Sequence, residues 1–138
     1  MLPAPAKSLL LVVAVAMIDQ EGLVLVQQRP PGKSMAGLWE FPGGKVEAGE
    51  TPEVALAREL EEELGIAVDS GALVPAAFAS EALGERQLLL LLYLLREWEG
   101  EPEARHASAL RWIMPGELHG LAMPPADLPL IGLLERLV

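Results

Sequence analysis

The run TPEVALARELEEELG, residues 51–65, dictates its own structure more firmly than any other part of the chain. Thr51 suits the N-cap, Pro52 the first helical position, where its missing N–H costs nothing, and Glu53 complements the positive end of the helix dipole. Gly65 closes the helix as a residue that tolerates the left-handed conformation. At about 100° per residue, Leu56, Ala57, Leu60 and Leu64 share one arc, the side expected to pack on a core. Glu59, Glu62 and Glu63 fall on the adjoining arc at steps of three and four, whereas Glu61 points to solvent. Arg58, four residues before Glu62, can pair with it.

The acid in this helix is at the wrong end. Like charges at these spacings cost a few tenths of a kcal/mol per pair, and the negative end of the dipole adds a similar penalty. The ordinary meaning of such a run is a wet helix face. Here, however, the carboxylates stand beside an apolar stripe. Upstream, Gly43 and Gly44 allow a backbone turn close to whatever they bind, with Lys45 in reach of a phosphate. An all-oxygen set of this kind suits a hard divalent cation, Mg²⁺ or in its place Mn²⁺.

The spacing Gly44, five residues, Glu50, seven residues, then Arg58-Glu59-Leu60-Glu61-Glu62-Glu63-Leu64-Gly65-Ile66 resembles the Nudix box of nucleoside diphosphate-X hydrolases, with no departure at its defining positions. The resemblance implies an α/β fold, the Nudix α/β/α sandwich with a mixed sheet, whose loop and helix carry divalent metal. It implies Glu59, Glu62, Glu63 and the Gly43 carbonyl as metal ligands. Arg58 would then orient a glutamate, Glu50 would support the loop and its charge network, and Glu59 would be the general base.

A length of 138 residues, 51% of them hydrophobic, suits one domain over residues 1–138 with a core that needs no staples. There is no cysteine, so neither a disulfide framework nor thiol catalysis is available. A net charge of −10 disfavours a nucleic-acid polymer as partner, while a small phosphorylated substrate is compatible with it once metal neutralises both sides. Lys7 and the apolar run at residues 9–18, down to Ala14-Val15-Ala16, mimic a signal peptide. The run passes into the turn cluster Asp19-Gln20-Glu21-Gly22 and a second apolar stretch at 23–26, which reads as a hairpin whose first strand the fold needs. No stretch approaches the ~20 residues of a membrane span. A cytoplasmic monomer or weak dimer is expected.

Further along, Arg29-Pro30-Pro31-Gly32-Lys33 reads as a loop, 72–79 as a strand, and 88–95 as a buried strand despite its leucines, being short and lying between Gly84 and Gly100. Residues 109–113 read as a strand, 115–118 as a helical turn, and 127–138 as a final helix with apolar positions 130, 131, 133, 134 and 137.

The likeness extends to MAGLWEFPGGKVEAGE at 35–50, WEGEP at 98–102 and MPPADLPLI at 123–131, which together are similar to the MutT branch, hydrolysing 8-oxo-dGTP to monophosphate and pyrophosphate. The CTP pyrophosphohydrolases, acting on cytidine and modified deoxycytidine triphosphates, are a similar branch. By likeness Arg29 approaches the phosphates or base, Phe41 contacts the nucleoside, and Asp127 meets the base edge. Asp127 stands where the best-known MutT pattern has Asn. An ionised Asp only accepts hydrogen bonds, which suits either the cytosine amine or the N–H groups of an oxidised guanine. Its other reading is a plain helix N-cap. His106 occupies a position where relatives often carry a further glutamate, and as a loop histidine it is either bystander, metal ligand or proton carrier. A nucleotide-binding sensor without turnover is the alternative from another class, disfavoured by the intact box.

Overall fold

The computed structural model describes residues 7–138. In chain order the elements are β1 (Ser8–Met17), β2 (Val24–Gln28), β3 (Trp39–Glu40), β4 (Gly43–Lys45), α1 (Pro52–Leu64), β5 (Val74–Leu83), β6 (Arg86–Leu95), β7 (Ala109–Ile113) and α2 (Leu128–Glu135), with 3₁₀ turns at Ser70–Ala72 and Pro115–Gly120. One mixed sheet has the order β4-β1-β6-β5, with β1 and β6 parallel; a smaller antiparallel sheet has the order β3-β2-β7.

The apolar run of β1 has its physical reason in this layering, because both faces of the sheet are covered. Val13, Val15 and Met17 face Ala55, Leu56, Leu60 and Leu64 of α1, and Ala14 and Ala16 face Leu130, Ile131 and Leu134 of α2. An α/β/α sandwich with a mixed sheet results, as expected.

Several local expectations change. Residues 9–26 do not form a hairpin: β1 and β2 share a single antiparallel bridge, Ile18 with Val24, then diverge into different sheets. The Asp19 carboxylate, accepting from the N–H groups of Glu21 and Leu23, turns the chain tightly. Pairing beyond that turn is decided by burial on two faces. Gly43 and Gly44 lie in β4, opposite Ala14 and Val13, and make no turn. A Cβ on Gly43 would stand 2.0 Å from the Val13 carbonyl oxygen, so the close approach of two backbones is what requires glycine there.

On α1 the buried positions are Ala55, Leu56, Leu60 and Leu64, while Ala57 is only half-buried. β5 starts two residues later than expected and runs to Leu83, because Asp69 caps a 3₁₀ turn and β6 offers pairing over its full length. The last helix is shorter than 127–138. Leu133 and Leu137 are exposed: 130, 131 and 134 form the stripe facing the sheet, Leu133 lies off it, and the helix ends before Leu137.

Candidate active site

The caps of α1 sit where its sequence puts them. Thr51 Oγ1 accepts from the Val54 N–H at 3.2 Å, and Gly65, at φ 71°, donates its N–H to the Glu61 carbonyl. The last turn has no basic residue of its own. Its missing positive charge arrives from a distant loop. Glu103 N–H donates to the Leu64 carbonyl at 2.9 Å, Arg105 N–H to that of Glu63 at 3.2 Å, and Arg105 Nη1 to that of Glu61 at 3.4 Å. The guanidinium lies so close over Gly65 that a Cβ there would be 2.5 Å from Nη2. Arg105 thus offsets the dipole and ties the loop carrying His106 to the acidic helix.

Arg58 is the hub of the acidic arc. Its Nε and Nη2 donate to both oxygens of Glu50 at 2.7 and 2.9 Å, its Nη1 to Glu59 at 3.0 Å and Glu62 at 3.4 Å, and its Nη2 to the Lys45 carbonyl at 3.2 Å. The fork geometry fixes orientation as well as charge. Glu50 also accepts from the Glu47 N–H at 2.9 Å, closing the loop before α1. The Arg58 bond, with help from that N–H, brings the Glu50 carboxyl down to about 2.

Glu59 and Glu63 sit in the opposite electrostatic situation. Burial raises the Glu59 carboxyl, against the pull of Arg58. Burial again, then the charges of Glu59 and Glu40, push Glu63 up to about 7, despite bonds from Gln27 and the Gly43 N–H. A Cβ on Gly44 would lie 2.4 Å from the Glu59 carboxyl carbon, so that glycine admits the carboxylate against the strand. Glu61 and Glu62 are exposed. Among the described residues no three acidic or histidine side chains converge on a single point. The donor chemistry nevertheless fits a divalent metal. Glu59 and Glu63 are partly buried carboxylates, and the Glu59 charge adds to the proton affinity of Glu63, a strain that a hard cation would relieve.

Beside this arc lies a cavity of about 940 Å³. Gly43, Gly44, Lys45 and Glu63 form its acidic end, Leu10, Val12, Leu88 and Leu90 its apolar floor, and Arg29, Phe41, His106 and Asp127 other parts of its wall. Every residue expected to meet substrate therefore borders one space. Glu59 and Glu62 lie outside that wall, on the Arg58 side. Arg29 is not free: its guanidinium pairs with Glu40 at 3.1 Å and donates to the Ser34 carbonyl at 2.7 Å. Phe41 is buried in the core. Lys45 and His106 are exposed.

Asp127 does not cap α2. It occupies the N-cap position without a capping bond; its Oδ2 accepts instead from the Phe41 N–H at 3.4 Å, and the residue is 6% exposed. Burial is the main reason its carboxyl is pushed up to about 7; the Phe41 N–H and Arg29 oppose the rise and Glu40 adds to it.

Sequence reasoning missed four participants. Gln27, 6% exposed, sits with Nε2 at 3.4 Å from Glu40 and 3.5 Å from Glu63. A buried glutamine inside an apolar strand was the available signal for it. Glu40, Arg105 and Glu81 join the site through strand pairing and loop docking, and nothing local marks them.

A fold of this topology with a box of this geometry defines a class. The NUDIX domain family matches residues 9–135, and the chain belongs to the Nudix family of hydrolases. Within it the chain falls in the MutT-like branch. It is 41% identical over 119 residues to the CTP pyrophosphohydrolase of Escherichia coli K12, covering 86% of this chain and 87% of that one. It is 37% identical over 126 residues to the 8-oxo-dGTP diphosphatase of the same organism, covering 91% and 96%. The solution structure of the E. coli ORF135 protein superposes with a TM-score of 0.87 at 34% identity, over 97% of this chain and 95% of that one.

Proposed function

We propose that the chain is a Mg²⁺-dependent nucleoside triphosphate pyrophosphohydrolase, with 8-oxo-dGTP as its foremost substrate and Mn²⁺ able to replace Mg²⁺. The observation that carries this reading is the single cavity that joins the box residues Gly43, Gly44 and Glu63 to an apolar floor and a buried Asp127. It has an acidic end for metal and phosphate and a dry end for a base.

Glu59, Glu62, Glu63 and the Gly43 carbonyl are the residues that would hold the metal. When bound, it supplies charge neutralisation for the phosphates and lowers the pKa of a water. Glu59 takes the proton from the attacking water. Arg58, fixed by both oxygens of Glu50, holds the Glu59 carboxylate in place. Lys45 meets the phosphates. The water oxygen bonds to the β-phosphorus as the bond to the α-bridging oxygen breaks, releasing nucleoside monophosphate and pyrophosphate. Arg29 and Phe41 shape the nucleoside end, Asp127 accepts from the base, and His106 stands at the rim with its loop anchored by Arg105.

Asp127 also favours a second substrate reading. As an acceptor it suits the exocyclic amine of cytosine, and the E. coli relative at 41% identity is named for CTP. CTP or a modified dCTP is therefore the alternative substrate. Either way the protein acts on the cytoplasmic nucleotide pool, as monomer or weak dimer, and with 8-oxo-dGTP its task is pool sanitation in the service of DNA repair. Among the described residues no helix is long and apolar enough to cross a membrane.

The test is a pair of variants. Glu62→Gln is expected to lower kcat for pyrophosphate release by two or more orders of magnitude with the fold intact, the loss typical of electrostatic and metal-site removals. Glu61→Gln, facing solvent, is expected to stay within a factor of about two of wild type, since surface changes of this kind stay within ~0.5 kcal/mol. Equal losses at both positions would show that the acidic arc is not the site.

A further inference from the structure

The reading of the cavity as a nucleotide site leaves Glu81, one of its charged residues, without a role. Glu81 lies on β5, on the same side of the strand as Ala77 and Ala79, and Ala79 is buried in the core beneath α2. The register places Glu81 beside Leu88 of β6, and Leu88 beside Leu10 of β1. All three line the cavity. Glu81 is half-buried, and among the described residues its carboxylate has no ion pair or hydrogen bond. A carboxylate at the end of a leucine floor must find a donor once a ligand displaces water from it.

Its place along the cavity says which part of a ligand it meets. Gly43 and Lys45 are on β4, at one edge of the sheet, and Glu81 is on β5, at the other. Three strand spacings of ~4.8 Å separate these edges, roughly 14 Å. A nucleotide with its phosphates at β4 would lie over β1 and β6 and turn the far edge of its base toward β5.

We propose that Glu81 is a specificity-determining residue that accepts a hydrogen bond from an exocyclic amine of the nucleobase and thereby selects amino-bearing bases over those whose edge carries only carbonyls and one ring N–H. The selection has two parts. An ionised carboxylate offers acceptors only, so cytosine and guanine-type bases satisfy it, and it repels the carbonyl oxygens of uracil or thymine. Charged hydrogen bonds are worth about 1.5–3 kcal/mol, which is about tenfold to a hundredfold in discrimination.

Binding of nucleoside monophosphates measures this without turnover. Calorimetric Kd values for CMP, 8-oxo-dGMP and UMP are compared across wild type, Glu81→Gln and Glu81→Leu, with thermal melts to confirm that each variant is folded. Wild type is expected to bind CMP and 8-oxo-dGMP at least tenfold more tightly than UMP, and both variants to lose most of that margin through weaker amino-base binding and stronger UMP binding. A uniform weakening of all three ligands is the mark of a merely structural residue and would overturn the proposal. So would an unchanged margin in both variants, equal binding of CMP and UMP by wild type, or binding of none. A wild type that shows the Glu81-dependent margin yet releases no pyrophosphate from any triphosphate would refute the catalytic reading and leave the selectivity of Glu81 standing.

Discussion

Replacing Asp127 with Asn should make the protein more stable above neutral pH. Asp127 is 6% exposed and receives one N–H, from Phe41 at 3.4 Å, too little to compensate a buried charge. Its carboxyl is pushed from 3.8 to about 7. The folded protein thus keeps a proton that the unfolded chain releases, and the contribution of Asp127 to stability falls as pH rises from about 4 to about 7, then levels off. At ~1.4 kcal/mol per pH unit the full displacement corresponds to at most about 4 kcal/mol. Local relaxation and water entry reduce that, and we expect ~2–3 kcal/mol. Asn keeps an oxygen for the Phe41 N–H and carries no charge. The Asn variant should therefore melt roughly 8–12 °C above wild type at pH 8, taking ~4 °C per kcal/mol for a chain of this size, and at the same temperature as wild type near pH 4. Thermal melts from pH 4 to 8 read this directly. A variant no more stable than wild type at pH 8, or a difference that does not grow with pH, would refute the burial account of Asp127.

Two further predictions concern the box. Glu50, held down to about 2 by Arg58, adds stability that is present above its unfolded pKa of about 4.3 and is lost as pH falls toward 2; Glu50→Gln should flatten the acid limb of an unfolding curve between those values. Gly43→Ala should destabilise the fold itself, by several kcal/mol judged from overpacking costs, because its Cβ meets the β1 backbone at 2.0 Å. Denaturant unfolding separates that effect from lost activity, and a fully stable Ala variant would show that β4 and β1 are not so tightly paired.

The box helix was legible in the sequence because everything that sets it is local. Thr51, Pro52 and Gly65 fix its ends within their own turns, and the step of three or four that puts Glu59, Glu62 and Glu63 on one arc is simple helical geometry. Strand order was not legible. Nothing within residues 9–26 says that β1 will pair in parallel with β6, 78 residues on, rather than with β2 across the turn at Asp19. That choice is made by burial on two faces, a property of the assembled layers. The same holds for Gly43 and Gly44, whose spacing suggested a turn and whose actual constraint is the adjacent β1 backbone.

Side-chain destinations divide similarly. The Arg58 pair with Glu62 followed from spacing, but its stronger bond to Glu50 depends on how the loop folds back. Arg105, the charge that complements the acidic end of α1, lies some forty residues from it in sequence and reaches it only by loop docking. Asp127 shows how a local rule can be outweighed: the residue holds an N-cap position, yet its carboxylate turns to a backbone N–H of the cavity wall.

The most direct test of the central claim is product analysis of purified protein with Mg²⁺ and, at low matched concentrations, 8-oxo-dGTP, dGTP, CTP, dCTP and 5-methyl-dCTP, compared as kcat/KM. The account predicts monophosphate and pyrophosphate in equal amounts, dependent on metal, with 8-oxo-dGTP or the cytidine nucleotides ahead of dGTP. Release of orthophosphate in place of pyrophosphate, or no release from any of the five, would contradict it.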